Sequence, residues 1–574
     1  MKTKYDILIN ILERLNKEAP KEYKTYHRTD DEGRNHALGL ALIHLFLKSK
    51  FGLMTFEERI RLITDGSGDG GIDAYFIDDQ IKEIFVIQSK FRCTESNFCG
   101  KIIDANELAA VQLNRITKGE KADQNGLKYN GKIEAFQRII SSIQDIGRYN
   151  YKVIILANIG NLKKATLQRL IDGFPYEAYN FNRIYNEVLF PFCSGLYFDP
   201  DSITLEIETS EKERSEFNQS INTRFGEFSV RILFVPALEL ARHVLRYRNS
   251  LLKYNPRNFL SFSKNPVNDN IRESIISERT NLFALLNNGI TFVAASDSFT
   301  DRTGKKGKGR LTIIKPQIIN GGQTAYALAK ILEDQHAEEL SSKSVLVKII
   351  TPTEDQEISN DLIEMVSFAN NRQSKIVEAD QRSNSSILME IQKYLFEKQN
   401  LFFERKRGEF FESITSKYLP RESIVNRVEF VKSVIAFLGE IAKARTSQDV
   451  IFEESSFQEI FKLPSPMLMS LAYLSRRKLS LLGKKFPSPF PVLGAFGCCI
   501  DPSKVTNDNI SKIADQILSI HDVWSVFETW ATQQPANRKY VVRDRLNDNY
   551  YKGKTIDQDI KKYFTENPID IDYA

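Results

Sequence analysis

Cysteine, histidine and tryptophan are scarce in this chain of 574 residues, at 5, 6 and 2 copies. The cysteines (Cys93, Cys99, Cys193, Cys498 and Cys499) are odd in number and contain no CxxC pair. That argues against a disulfide framework or a zinc site and fits a reducing cytoplasm. No histidine falls into HExxH or HNH spacing, and no GxxxxGK[ST] occurs, so P-loop nucleotide hydrolysis is not encoded. Long uncharged apolar runs are missing, and the Met1-Lys-Thr-Lys-Tyr start lacks the apolar centre of a signal peptide. A cytoplasmic protein with no membrane partner is expected. Excess charge is also small: 79 Lys and Arg against 74 Asp and Glu give a net charge of +5. This permits a nucleic-acid partner without establishing one, because a local stripe matters more than the total. The length calls for more than one hydrophobic core.

What is present begins at Asp65-Gly-Ser-Gly-Asp-Gly-Gly-Ile-Asp73-Ala-Tyr75, followed by Phe85-Val-Ile-Gln88-Ser-Lys90-Phe91. The pattern reads as a glycine-rich entry into one strand, a polar turn, and a second strand. Side chains alternate faces along a strand, so Val86, Gln88 and Lys90 share one face. If Asp79 to Lys82 form a four-residue loop, Asp73 falls across from Gln88, with Cβ atoms about 4.5–5.5 Å apart. Both can then reach one hard cation, which prefers carboxylate, amide and water oxygens. A lysine beside such a cation can position or deprotonate a water, which suits metal-assisted phosphodiester hydrolysis. A glycine- and aspartate-rich turn leading into an ordinary hairpin accounts for the same letters.

These residues resemble the PD-(D/E)xK nuclease superfamily, in particular Mrr-like restriction endonucleases with a GDGGID…QxK variant. The resemblance implies a metal at Asp73 and Gln88, Mg²⁺ or Mn²⁺, with Lys90 activating water. It also implies a glutamate on the preceding helix, for which Glu32, Glu57 and Glu58 all qualify.

Periodicity predicts helices over 5–17, 34–50, 105–115, 133–146 and 163–171, with a short buried strand over 153–157. The charged stretch Thr209–Glu216 marks the expected domain boundary. The basic loop Lys305–Arg310 reads as a hairpin tip or a phosphate contact. Beyond about residue 450 the chain reads as helical, with Trp524 and Trp530 expected to pack.

Between these ends stand four blocks: Phe283–Phe292 with Asn287-Asn288-Gly289, Ile318–Leu328 with Asn320-Gly321-Gly322-Gln323-Thr324, Phe368–Ser374 with Asn371-Arg372-Gln373, and Phe403–Gly408 with Arg405. The second reads as strand, glycine turn and helix, whose first backbone N–H groups favour an anion. A purely structural turn explains Asn320–Thr324 equally well. In this order the blocks resemble the AIPR (abortive infection phage resistance) family over roughly 225–450. More faintly, NGGQT resembles the DGQHR-type turn of ParB-like domains, with Asn for the Asp and Thr for the His.

The expected fold is a multidomain α/β protein: a restriction-endonuclease-like domain over 1–208, a mixed α/β AIPR domain over 225–450, and a helical region over 451–574. The function the resemblance implies is a metal-dependent DNA endonuclease in antiphage defence, with RNA left open as substrate. The alternative is a non-cleaving nucleic-acid- or nucleotide-binding regulator on a vestigial nuclease fold. A homodimer and a phage-derived or nucleotide trigger complete the expected partners. Asn288, Asn320, Gly321, Gly322, Gln323, Thr324, Asn371, Arg372, Gln373 and Arg405 are the expected ligand-binding residues of the second domain.

Overall fold

The structure, a computed structural model, describes the chain apart from residues 1, 80, 105–107, 109–110, 161, 163, 198–199, 210–215, 256–265, 278, 302–306, 354–361, 363–364, 367–377, 454–456, 458–459, 462–464 and 482–488. It is mixed α/β, with several small sheets and a helical C-terminal region. Among the described residues, no helix is long and apolar enough to cross a membrane. All five cysteines are free thiols.

Two compact units interleave along the chain. The first comprises Met1–Lys253, Ser261–Glu357 and Phe410–Leu419, and the second Tyr254–Leu260, Ile358–Glu409 and Pro420–Ala574. Neither coincides with one of the ranges 1–208, 225–450 or 451–574.

The first unit opens with helix α1 (Lys4–Asn16), started by a reciprocal capping box between Thr3 and Asp6. Helix α2 (Asp31–Phe51) begins at the Asp30 cap and stops at Gly52, whose φ of 65° is the left-handed conformation glycine adopts without penalty. A sheet of four strands follows, in the order β1 (Ala74–Asp78), β2 (Glu83–Ser89), β3 (Asn150–Leu156) and β4 (Tyr176–Ala178). β1 and β2 are antiparallel, and β2, β3 and β4 run parallel. Alternation along the strands gives the sheet two apolar faces. On one, Phe51 of α2 stacks on Phe76 and packs on Phe85, at 4.3 and 5.0 Å between ring centroids. On the other, Tyr75 stacks on Phe136 at 4.1 Å, and Ile133, Phe136 and Ile140 of the Gly131–Ser142 helix join Val86, Val153 and Ile155 in one core.

The same unit holds two further sheets built from β5 (Ser202–Glu208), β6 (Glu216–Thr223), β7 (Gly226–Pro236), β8 (Ile290–Val293), β9 (Ser296–Thr300), β10 (Lys308–Ile314), β11 (Gln317–Asn320) and β12 (Ser344–Pro352). Their orders are β5-β10-β9 and β11-β8-β12-β7-β6. β5 and β10, on opposite sides of the charged stretch at 209–216, pair antiparallel from Ser202↔Ile314 to Glu208↔Lys308. The Ala237–Tyr247 and Gly322–Glu333 helices pack on one another beside these strands. Asn10 of α1 donates to the carbonyls of Lys417 and Tyr418, both at 2.9 Å, which ties the start of the unit to its last segment.

The second unit is helical around a large core that includes Phe430, Leu471, Val492, Phe496, Phe527 and Phe564. Trp524 is buried there, and Trp530 packs on Phe527 and Tyr563. Its one named strand pair among the described residues, apart from a two-residue ladder near the C-terminus, is β13 (Phe402–Glu404) beside β14 (Ile424–Asn426), in parallel.

Most predicted helices form at or near their expected places, as Lys4–Asn16, Asp31–Phe51, Gly131–Ser142 and Lys164–Leu170. The stretch 105–115 differs: part lies outside the described residues, and the helix there is Leu113–Thr117. Of the basic loop 305–310, residues 305 and 306 also lie outside them, while Lys308 to Arg310 open β10 and Lys308 pairs with Glu206 and Glu208.

Candidate active site

The loop before β1 is shaped by glycines at positive φ. A Cβ on Gly68 (φ 77°) would lie 2.5 Å from the Lys128 carbonyl oxygen, so the loop closes on residues 128–130 only because that Cβ is missing. Asn130 N–H then donates to the Gly68 carbonyl at 2.9 Å, and Gln112 N–H to that of Gly70 at 2.9 Å. The loop closes on itself where Thr64 and Asp65 N–H both donate to the Asp73 carbonyl, at 2.9 and 3.1 Å. Three carboxylates converge as a result. Asp65, Asp69 and Asp73 each present an oxygen within 4.8 Å of the others.

The hairpin supplies the rest. β1 and β2 pair from Asp78↔Glu83 to Ala74↔Ile87 around the loop 79–82, and one further step sets Asp73 beside Gln88. Asp73 N–H donates to the Ile87 carbonyl at 2.9 Å, and Ser89 N–H donates to Asp73 Oδ2 at 2.6 Å. Both Asp73 and Gln88 are buried, and Gln88 Nε2 donates to the Gly71 carbonyl at 3.2 Å. Lys90 follows the strand, with its N–H on the Leu156 carbonyl of β3 at 3.1 Å. Its charge acts on both Asp73 and Asp69.

Burial pushes the Asp73 carboxyl up to about 7; the negative charges of Asp65 and Asp69 push the same way, and the Ser89 N–H and Lys90 oppose them. Asp69 is also raised, chiefly by burial, although Gly66 and Gly71 N–H groups both donate to it. A partly buried set of hard oxygens carrying mutually repelling charge fits a divalent cation, which relieves both costs. From α2, His36 Nε2 lies 2.9 Å from Asp65 Oδ2.

Of the expected glutamates, Glu32 is exposed in the first turn of α2 and is not part of the acidic cluster. Glu58 caps its own short helix through Thr55, and Glu57 is exposed. Asp65, Asp69 and His36 were not among the predicted site residues. The signal for the two aspartates is their spacing, Asp65, Asp69 and Asp73 at intervals of four in a glycine-rich loop.

The NGGQT turn joins β11 to the Gly322–Glu333 helix, with Gly321 as a left-handed cap. Asn288, Asn320, Gly321, Gly322, Gln323 and Thr324 come together because β11 pairs with β8 and sets the turn against Asn287-Asn288-Gly289. Gly321 (φ 81°) lies where a Cβ would stand 2.5 Å from the Gly289 carbonyl oxygen, and Gly289 (φ 80°) where one would stand 2.3 Å from that of Leu346. Asn287 Nδ2 donates to Thr324 Oγ1 at 3.0 Å, and Asn287 Oδ1 accepts from Gly289 N–H at 2.9 Å. Thr324 is buried, Asn288 exposed, and Asn320 and Gln323 half-buried.

A family model described as AIPR protein matches residues 252–539, half of the chain. The chain belongs to the AIPR family. No curated protein and no solved structure matches it. Membership implies a role in abortive infection and phage defence. In this AIPR protein the asparagine and glycine blocks and Arg405 lie inside the matched range, and the acidic loop lies before it. Asn371, Arg372 and Gln373 are outside the described residues. Arg405 belongs to the second unit, where it is buried. It donates to the Ser383 carbonyl at 2.8 Å, its N–H meets Glu409 Oε2 at 2.9 Å, and its own carbonyl accepts from Arg427 at 2.7 Å. Arg427 in turn pairs with buried Asp380. Every one of these bonds is to the chain itself.

Proposed function

We propose that this AIPR protein is a metal-dependent nuclease acting in phage defence, with its reaction centre at the acidic loop. The observation that carries the reading is the convergence of Asp65, Asp69 and Asp73 within 4.8 Å, beside a lysine whose charge acts on two of them. Asp73, Asp65 and Asp69, with the amide oxygen of Gln88, would hold Mg²⁺ or Mn²⁺. When bound, such an ion supplies Lewis acidity at a phosphoryl oxygen and a more acidic water. The chain does the remainder. Ser89 N–H and the Ile87 carbonyl fix Asp73, the Gly71 carbonyl fixes Gln88, and Lys90 Nζ positions or deprotonates the attacking water. DNA is the proposed substrate, with RNA a second arm of the same test.

A second reading has its own support. Asp69 accepts from two backbone N–H groups and Gln88 donates to one carbonyl, so both side chains already serve the loop. On that reading the fold binds nucleic acid or nucleotide without cutting it. Incubation of the purified protein with plasmid, single-stranded DNA and RNA, with Mg²⁺, with Mn²⁺ and with chelator, separates the two. Metal-dependent cleavage that disappears in Asp73→Asn supports the nuclease. Binding without cleavage under every metal supports the regulator.

A further inference from the structure

Strand β6 closes the five-stranded sheet on one side and, among the described residues, pairs only with β7. Seven of its eight residues, Phe217 to Thr223, are exposed, and among the described residues no layer covers either face. Free edges of this length are ordinarily protected by lysine, proline or a bulge. β6 reads Glu-Phe-Asn-Gln-Ser-Ile-Asn-Thr and has no lysine or proline, and its register with β7 runs unbroken from Glu216↔Leu233 to Thr223↔Gly226. Its single charge, Glu216, is already paired with Arg231 of β7. One face is apolar in patches: Phe217 and Ile221 are 56% and 44% exposed, and Phe234, two residues beyond the register partner of Phe217, is 50% exposed. Such an edge is built to be extended.

We propose that two copies of this chain pair β6 to β6 in antiparallel fashion, about a two-fold axis through Gln219. The strand is self-complementary in that register. Phe217 falls opposite Ile221 of the other copy, twice over, and Gln219 meets its own counterpart. On the other face Asn218 meets Ser220 and Glu216 meets Asn222. Directly opposed residues interact most strongly across a sheet, and here no like charges oppose one another. The apolar stripe from Phe234 through Phe217 continues onto the second copy, and a closed two-fold contact of this kind ends in a dimer rather than a fibre. The dimer is independent of the chemistry at the acidic loop.

Sedimentation velocity of the full-length protein across a dilution series tests it. The expected result is a dimer that dissociates on dilution, and a monomer at every concentration for Phe217→Lys with Ile221→Lys. Both sites are exposed, so the melting temperature of the variant should match the wild type. As a second measurement, mild oxidation of Gln219→Cys should give a covalent dimer, because directly opposed Cβ atoms about 4.5–5.5 Å apart lie within disulfide reach. Asn222→Cys should not, and wild type with its exposed Cys93 sets the background. A monomeric wild type, or a dimer that survives the double lysine variant while Gln219→Cys stays uncrosslinked, overturns the proposal.

Discussion

Two glycine-rich turns in the first unit are both shaped by left-handed glycine and have opposite consequences. In the loop from Asp65 to Asp73, positive-φ glycines fold the backbone so that three carboxylates face one another, and burial leaves Asp73 short of compensating charge. In the turn from Asn320 to Thr324, a positive-φ glycine, Gly321, lets two backbones touch, and the Thr324 hydroxyl is taken up by Asn287. Glycine accounts for the geometry in both. What separates them is whether the remaining side chains carry charge that the fold itself fails to satisfy. Reading function from such turns therefore means following the charges after the backbone has been explained.

The contrast can be broken most sharply at Lys90. Lys90→Ala should lower cleavage by roughly 10²–10⁴-fold while folding and nucleic-acid binding stay near normal. Single-turnover cleavage alongside an anisotropy titration checks this, and undiminished cleavage would move the reaction centre elsewhere. Next in size is the titration of Asp73. Its folded-state value lies near 7 against an unfolded value of 3.8, so the folded state holds the extra proton between them. The stability this contributes is fully present below about pH 4 and is lost as pH rises through about 7. In chelator, Asp73→Asn should therefore match wild type near pH 4 and exceed it by up to about 4 kcal/mol above pH 7. Denaturant midpoints across that range measure the difference, and the NGGQT turn, with no titratable group, should contribute none of it.

Gly321→Ala tests the other turn. A Cβ there meets the Gly289 carbonyl at 2.5 Å on a left-handed backbone, and the cost should be roughly 2–4 kcal/mol. Cleavage per folded molecule should be unchanged. A loss of ligand-induced thermal shift with no loss of stability would instead make the turn a binding element. The smallest effect belongs to Asn287→Ala and Thr324→Val, at about 1 kcal/mol each. Their double variant should cost less than the sum, since both remove one hydrogen bond, and a double-mutant cycle reads the coupling.

Much of the acidic site was legible. The hairpin register follows from strand alternation and a four-residue loop, so Asp73 and Gln88 could be set side by side from the sequence. Asp65 and Asp69 could not be placed in the same way, because their approach depends on how Gly68 and Gly70 pack against residues 116 and 128–130, more than forty positions away in sequence. The strand, turn and helix around NGGQT were equally legible from local pattern. The partner of Thr324 was not, since only the β8–β11 pairing brings Asn287 to it. Arg405 shows the same limit. It was expected to bind a ligand, and burial turns its bonds inward to Ser383, Glu409 and Arg427.

The bond from Asn10 to the carbonyls of Lys417 and Tyr418 spans 407 and 408 positions. On the ribosome, at ~5–20 residues per second, helix α1 is synthesised about 20–80 s before its acceptors exist. A nascent chain thus carries the acidic loop long before the last segment of the first unit exists. Any chain ending short of residue 410 keeps that loop and never gains the closing segment, which makes synthesis through residue 419 a condition for completing the first unit.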